Sequence, residues 1–262
     1  MKSTRIRYAW NLSFWIFRNI QIFFVPKSKE ELHIISASDS THQKSLSNLL
    51  TSIRQYEAKA KVVVFDLGMT AEYLAKLIEE FPTVEFKRFP FENFPSYYDI
   101  KIEAGSYAWK PAAIELAKPW NDTVLWLDAG NLLIGPLVIL RKTAKKYKFF
   151  SPYSSGVIQE WTHPGVISSL GVQPELLKAR NLAANVICFS SSDKGASGMI
   201  EEWISSSKSK ELIAPDGSSR LNHRQDQSLL TILAYKAGLV RYGKLAEFPR
   251  RVYKILVHQD VD

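Results

Sequence analysis

Apolar and polar positions along the chain switch between two periods, and the switching predicts the order of elements. The stretch "ELHIISASDS" is a short apolar run ending in small polar residues, the pattern of a buried strand running into a loop. In "THQKSLSNLLTSIRQY", Leu46, Leu49, Leu50 and Ile53 share one helical face behind Ser and Thr capping candidates. "KVVVFDLG" reads as a second buried strand closed by Asp66-Leu67-Gly68, "TAEYLAKLIEEF" as a second amphipathic helix, and "TVEFKRFPF" as a third strand. Strands alternating with helices in this way predict an α/β protein with a parallel, doubly wound sheet.

The middle of the chain adds a helix, "GSYAWKPAAIELAKPW", whose start carries Trp109-Lys110-Pro111, and Pro suits a first helical turn. "DTVLWLDAGNLLIG" follows as a fourth strand, broken at Ala129-Gly130-Asn131. Beyond it the pattern is mixed: "YKFFSPYS", a loop with "EWTHPGV", the strand "LAANVICFSS" and a helix from about Ser197 to Ser206. A polar loop, "APDGSSRLNHRQDQ", leads into the apolar helix "SLLTILAYKAG", and the tail "LAEFPRRVYKILVHQDVD" reads as a final strand crossing back. With no repeat and no long linker, residues 29–262 are expected to form one domain behind an N-terminal segment, residues 1–28.

That N-terminal segment places Lys2, Arg5 and Arg7 before an aromatic, apolar run ending at Pro26. Arg18, Asn19 and Gln21 interrupt the run, and a central Arg alone costs about 2.5–3.5 kcal/mol on insertion scales. No small-residue cleavage site marks it as a signal peptide. Two readings fit: a basic, aromatic helix lying in a membrane interface through residues 1–26, or a helix packed on the domain. The expected location is the cytoplasm at the inner face of the membrane. The alternative, a Golgi type II membrane protein, requires the run to span, which Arg18 disfavours.

Composition changes this picture in two respects. The 262 residues carry 34 Lys+Arg against 26 Asp+Glu, a formal charge of +8 that attracts anions. No zinc-ligand spacing or RNA-binding signature accompanies the charge, so nucleic acid is not an expected partner. The single cysteine, Cys188, excludes an intrachain disulfide, and its place in "NVICF" predicts inert packing.

Several common sites are excluded by motif. The chain has no G-x-x-x-x-G-K-[ST], G-x-G-x-x-G, G-x-S-x-G or H-E-x-x-H, and its five histidines are scattered. In open α/β sheets, ligands bind beyond the carboxyl ends of the strands. Three strands here end in acids at that edge: Asp39, Asp66 and Asp128. One such acid is commonly a turn or cap residue. Three of them, with the later polar loop "NHRQDQ", suggest a site.

A site that moves a sugar from a nucleoside diphosphate needs acceptors for the nucleoside, cations for the leaving diphosphate and a carboxylate or amide for the sugar. The candidates are Asp39 and Asp66 for the first role, Lys110, His223 and Arg224 for the second, and Asp226-Gln227 for the third. The competing roles are ordinary ones: Asp226 as a cap for the helix after it, Asp66 as a turn acid with Gly68, and Lys110 as a solvated helix-start lysine. His163 and Asn185 are weaker candidates, and Trp109 reads as core.

At these residues the chain resembles glycosyltransferases of the GT-A fold. "TVLWLDAGNLLIGPL" is similar to the strand and turn in which such enzymes carry an Asp-x-Asp motif, and "IISASDSTHQKSLSNLLTSI" to their first strand and helix, which hold the nucleotide. "NHRQDQSLLTILAYKAG" is similar to their late Asp-Gln-x-x-Leu segment. The ensemble "FDLGM…FPFENFP…YAWKP…VLWLDAG…HRQDQSLLTIL" looks closest to a group of GT-A-like proteins of nematodes and bacteria, over roughly residues 31–240. The resemblance implies a mainly parallel, Rossmann-like sheet flanked by helices, a nucleotide-sugar donor and a surface-glycan or lipid-linked acceptor. It implies donor contacts from Ser36, Ala37, Ser38, Asp39, Asp66, Gly68, Lys110, Asp128, Ala129, Gly130, His223 and Arg224. It implies catalytic roles for Asp226, Gln227 and Asp128.

One position departs from the pattern: where the second Asp of Asp-x-Asp is expected, the chain has Gly130, which offers no side-chain oxygen. A divalent ion, Mn²⁺ or Mg²⁺, would then rest on Asp128 with His, Asn or water and bind weakly without diphosphate. Alternatively, Lys110, His223 and Arg224 neutralise the diphosphate without metal. Two rival functions also remain open. One is a nucleotidyltransferase or sugar-phosphate enzyme, and the other a non-catalytic glycan- or nucleotide-binding module on the same fold.

Overall fold

Apolar runs with no polar alternation must be covered on both faces, and such runs pair here into one sheet. In the computed structural model, the described residues are 22, 24–26, 31–242 and 252–261. All seven residues of β1 (Leu32–Ser38) are buried, as are all five of β4 (Thr123–Leu127) and β9 (Val186–Ser190). β2 (Lys61–Asp66) is buried through its middle, and β3 (Val84–Arg88) is a half-exposed edge. With β6 (Phe149–Phe150), the sheet order is β3-β2-β1-β4-β9-β6.

β1, β2, β3 and β4 run parallel, with Ile35 opposite Val63 on one side and Trp126 on the other. β9 runs antiparallel between β4 and β6, pairing Cys188 with Leu125 and Phe150. The chain builds outward from β1 to β3, then returns to the other side of β1 as β4. That reversal opens a crevice beyond the carboxyl ends of β1 and β4.

The helices α1 (Gln43–Tyr56) and α2 (Ala71–Glu80) follow the predicted spacing. Leu46, Leu49, Leu50 and Ile53 of α1 are buried, and Thr70 caps α2 by accepting from Tyr73 N–H. α3 (Trp109–Leu116) precedes β4, and the two-residue β5 (Leu132–Leu133) follows it. α4 (Val138–Tyr147), absent from the sequence reading, buries only Leu140, Thr143 and Ala144.

The segment read as a loop around "EWTHPGV" is two short helices, α5 (Ile158–Trp161) and α6 (Pro164–Ser169). They lie between β7 (Tyr153–Val157) and β8 (Arg180–Leu182), an antiparallel pair. α7 (Lys194–Ser207) starts ahead of its expected position because Asp193 caps it, accepting from Ala196 N–H. The short α8 (Lys210–Ile213) precedes the polar loop, and α9 (Gln225–Lys236) is almost wholly buried.

The expected strand in the tail is β10 (Ile255–Leu256), antiparallel to β5, with Leu256 opposite Leu132. It carries the following residues past the turn that ends β4. The expectations for residues 1–28 fall, apart from residues 22 and 24–26, outside the described residues. Among the described residues, no helix is long and apolar enough to cross a membrane.

Candidate active site

Beyond the carboxyl ends of β1 and β4 lies a cavity of about 840 Å³. Five groups that the sequence singled out separately line it: Asp39, Lys110, Asp128, Arg224 and Asp226-Gln227.

Asp128 is held by its backbone. Its N–H donates to Asn185 O at 3.0 Å, continuing the β4–β9 ladder one residue past the strand, and its carbonyl accepts from Asn131 N–H at 3.0 Å to close the turn. Residues two apart on a strand share a face, so the Trp126 indole reaches the carboxylate and donates to Oδ1 at 2.6 Å. The Lys110 ammonium sits 2.9 Å from the same oxygen and 3.2 Å from Oδ2.

Lys110 is the centre of the cluster. Its side chain is 4% exposed, and its Nζ also donates to Ala184 O at 3.1 Å and lies 3.6 Å from Asp226 Oδ2. A cation in the first turn of a helix opposes the helix dipole. The two acids, not the helix, therefore hold it there. Burial disfavours its charge, but Asp128 and Asp226 more than offset that and raise its pKa.

The approach to Lys110 is a left-handed turn: Ala104, Gly105, Ser106 and Tyr107 have φ of 54°, 62°, 47° and 52°. A Cβ on Gly105 would stand 2.9 Å from Trp109 Cδ1 and closer still to Tyr98 O, so glycine is required there. The turn sets Tyr107 beside the ammonium, 5.6 Å from ring centroid to Nζ.

Asp226 lies in the first turn of α9, is 4% exposed, and its Oδ2 has no hydrogen-bond partner. Burial lifts its pKa to about 6; Lys110 opposes this and the Asp128 carboxylate adds to it. The preceding Gln225 has φ 48°, an uncommon conformation for a side-chain-bearing residue. The neighbouring Gln227 leaves its buried Nε2 without a partner.

On the β1 side, Asp39 Oδ1 accepts from Thr41 N–H (3.0 Å), Thr41 Oγ1 (2.8 Å) and His42 N–H (3.1 Å), and pairs with His42 Nδ1 at 2.8 Å. Burial alone would raise this carboxyl, yet the bonds from His42 and Thr41 outweigh it and bring it to about 2. The bond to Asp39 raises the His42 pKa in turn.

Of the other expected residues, Asp66, Gly68, Ser36 and His223 lie away from the cavity wall. Asp66 Oδ1 accepts from the N–H groups of Gly68 (2.8 Å) and Met69 (2.7 Å), forming a turn, and neither Asp66 nor Gly68 lines the cavity. Ser36 is buried and donates to Leu127 O at 2.7 Å, tying β1 to β4. Ala37, Ser38, Ala129 and Gly130 line the cavity. The His223 ring is fully buried: Nδ1 accepts from His163 N–H at 3.4 Å and Nε2 faces Leu212 O at 3.1 Å. Burial drives its pKa down to about 4, so it is a neutral packing histidine away from the cavity wall. His163 caps α6.

Around the expected Arg224, the cavity also gathers residues that the sequence did not single out. Arg224 lies 3.8 Å over the Trp161 ring and donates to the hydroxyls of Ser154 and Ser155. Arg220, from the same polar loop, donates to Tyr107 Oη at 3.2 Å. His42, His258 and Asp260 complete the wall, the last two carried there by the segment after β10. Only the expectation of a strand crossing back pointed to that segment.

Does this donor set suit a divalent ion? Among the described residues, no group of three or more His, Cys, Asp or Glu side chains converges as a metal cage. The turn offers Asp128 and, at Gly130, open space that the Asp260 carboxylate fills: a Cβ there would lie 2.6 Å from Asp260 Cγ. Two carboxylates suit Mg²⁺ or Mn²⁺ when phosphate oxygens complete the shell. The residues present fit such an ion in that partial sense.

Comparison with known proteins agrees with the architecture. A family model described as a protein of unknown function (DUF1647) matches residues 18–115. No curated protein matches the chain. Among solved structures, the galactosyltransferase LgtC in complex with donor and acceptor sugar analogs is 15% identical with a TM-score of 0.53, covering 86% of each chain. The bifunctional glycosyltransferase WbbM, in its apo form, is 13% identical with a TM-score of 0.52. That match covers 81% of this chain, which spans 39% of the WbbM chain. The fold is that of GT-A glycosyltransferases: a mainly parallel central sheet flanked by helices.

Proposed function

We propose that the protein is a glycosyltransferase that moves a sugar from a nucleotide-sugar donor to a surface-glycan or lipid-linked acceptor. The observation that carries this reading is the Lys110–Asp128–Asp226 cluster in the floor of a large cavity at the sheet's switch point. LgtC, of the same fold, was crystallised with donor and acceptor sugar analogs.

In this reading the nucleoside lies over Ala37, Ser38 and Asp39 at the end of β1. Asp128 holds the ribose or a metal ion at the diphosphate. Arg220 and Arg224 supply positive charge as the bond from the anomeric carbon to the diphosphate oxygen breaks and its electron pair leaves with the nucleotide. The acceptor hydroxyl oxygen forms the new bond and gives up its proton, either to the Asp226 carboxylate or to the departing diphosphate oxygen. Asp226, raised to about 6, and Gln227 hold the sugar or acceptor hydroxyls. Lys110 is a positioning residue: it fixes both carboxylates by pairing with each of them.

If a divalent ion binds at Asp128, it adds charge stabilisation for the leaving diphosphate. Residues 1–26 are proposed to contact the inner face of a membrane, bringing the site near lipid-linked acceptors.

The test is calorimetric titration of the folded protein with UDP-, GDP-, CMP- and dTDP-sugars, with and without Mn²⁺, followed by mass detection of released nucleotide. Binding and release of one nucleotide is the expected result. A folded protein that binds none of them overturns the reading.

A further inference from the structure

Beside the cavity, along α1, lies a second hollow of about 380 Å³, and its lining is different in kind. Ser45, Asn48, Thr51, Ser52, Gln55 and Tyr56 line it from α1. Opposite them stand β5 and Ile134. None of the described residues that line it carries a charge, although the chain has 34 Lys+Arg and 26 Asp+Glu.

Helical spacing produces this surface. Positions 45, 48, 52 and 55 recur every three or four residues and form one stripe, beside the buried apolar stripe of Leu46, Leu49, Leu50 and Ile53. From Ser45 to Tyr56 the stripe runs about 16 Å. Two of its hydroxyls are engaged in the fold: Ser52 Oγ accepts from Leu133 N–H at 3.0 Å, and Ser45 Oγ from Val261 N–H at 2.9 Å. Asn48, Thr51 and Gln55 are exposed, and Tyr56 is half-buried.

The hollow meets the cavity at Asn131, which lines both. Asn131 is 2% exposed; its amide donates to Asn185 O at 2.8 Å, and its Oδ1 accepts no hydrogen bond. A buried amide oxygen without a donor is unfavourable, and this one belongs to the residue where the two hollows join. Gln259, whose N–H donates to Gly130 O at 2.7 Å, also lines the second hollow. The segment after β10 therefore forms part of both walls.

The chemistry of the lining selects the ligand. A polyanion needs cations, and the described lining offers none. A lipid chain needs an apolar wall, and amides and hydroxyls make up most of this one. An added peptide strand needs a free sheet edge. β5 is closed by β10 on one side, and its Leu133 N–H is taken by Ser52. Side chains that both donate and accept, next to a Tyr ring and the aliphatic Leu132 and Ile134, match a neutral saccharide with its hydroxyl edges and C–H faces.

We propose that this groove is a second, saccharide-binding site, holding the neutral sugars of an acceptor chain whose end lies in the cavity. The acceptor clause rests on the glycosyltransferase reading above; the binding of saccharide does not.

The full chain is screened on an array of neutral and anionic oligosaccharides of increasing length, and the best neutral binder is then measured by calorimetry. Affinity is expected to rise at least about tenfold from the monosaccharide to the chain that fills the groove. Thr51→Arg, which obstructs the groove, is expected to remove that gain, and Asn48→Ala/Gln55→Ala to weaken the long chain about tenfold. Nucleotide affinity should stay within about twofold in both. These are exposed helix positions, and circular dichroism checks the fold; the alanine pair carries the test if Thr51→Arg does not fold.

The proposal is overturned if no neutral oligosaccharide binds, or if only anionic ones do. It is equally overturned if the folded variants keep wild-type affinity for the long chain within about twofold. Groove-dependent oligosaccharide binding without binding of any nucleotide sugar leaves this inference standing and removes the transferase reading. Nucleotide-sugar binding and release, with oligosaccharide affinity indifferent to Thr51 and Gln55, does the reverse.

Discussion

Asp66 and Asp128 occupy equivalent places, each at the carboxyl end of a parallel strand in one sheet, and their surroundings make them different groups. Asp66 spends Oδ1 on two backbone N–H groups two and three residues ahead, so its surroundings are local. Asp128 meets an indole from its own strand, an ammonium from α3 and, through that ammonium, a second carboxylate from α9. A strand-end acid becomes a site when distant segments converge on it. The switch point between β1 and β4 is where the topology permits that.

The widest gap should open in activity. Asp128→Asn is expected to lower turnover of the identified nucleotide sugar about 10²–10³-fold. Asp66→Asn should leave turnover within about twofold, since its amide oxygen can still accept both N–H bonds. Equal losses in the two variants, measured by released nucleotide, would erase the contrast.

Next in size is stability. Lys110→Met leaves Asp226 buried without its cation, and breaking such a pair costs about 3–5 kcal/mol. The Asp128 side chain is 36% exposed and water screens it, so the lower end, about 3 kcal/mol, is expected in urea unfolding. A loss under about 1 kcal/mol would show that the cluster does not depend on its central cation.

The pH profile sharpens the comparison further. Burial lifts Asp226 from 3.8 to about 6 in the folded state. Between those values the folded protein keeps a proton that the unfolded chain has released. Stability from this group is therefore lost as pH rises from about 4 to about 6, by about 3 kcal/mol at most. His33 and His223, driven to about 4 by burial, act in the opposite sense. Both stay neutral when folded while the unfolded chain protonates, so their contribution is lost as pH falls from 6.5 toward 4. The informative quantity is wild type minus Asp226→Asn across pH 4–6.5, which should slope downward with pH. A flat difference would place the titration elsewhere.

The smallest effect belongs to the local turn. Asp66→Ala removes an acceptor from two N–H groups and is expected to cost about 1 kcal/mol, read from the unfolding midpoint. Its donor affinity should not change.

The same contrast explains what could be read from the chain. β1, β2, β4 and β9 are legible because strands covered on both faces are unbroken apolar runs. α4 is not, because it buries three residues and carries Arg141, Lys142, Lys145 and Lys146 on the rest. α5 and α6 are too short to show a period.

In the site, Asp39, Asp128, Lys110 and Asp226-Gln227 stand at ends of legible elements, and the structure brings them to one cavity. His223 sits two residues before Gln225 in a polar loop, and nothing in that loop marks its ring as the one that turns inward. Arg220 faces the cavity from the same loop without any local pattern to announce it. Asp260 is hidden for another reason. Its neighbour in space, Gly130, is informative only for the side chain it lacks, and periodicity carries no record of which distant residue fills a gap.

The segment that crosses Gly130 also makes one wall of the cavity through Val257, His258 and Asp260. A ligand that touches this wall favours the docked state of the segment, and by reciprocity docking favours the ligand by the same factor. Order in residues 254–261 and occupancy of the cleft are then two readings of one equilibrium. Amide hydrogen exchange at Gln259 and Val261, whose N–H groups bond to Gly130 O and Ser45 Oγ, would report binding without any assay of the chemistry.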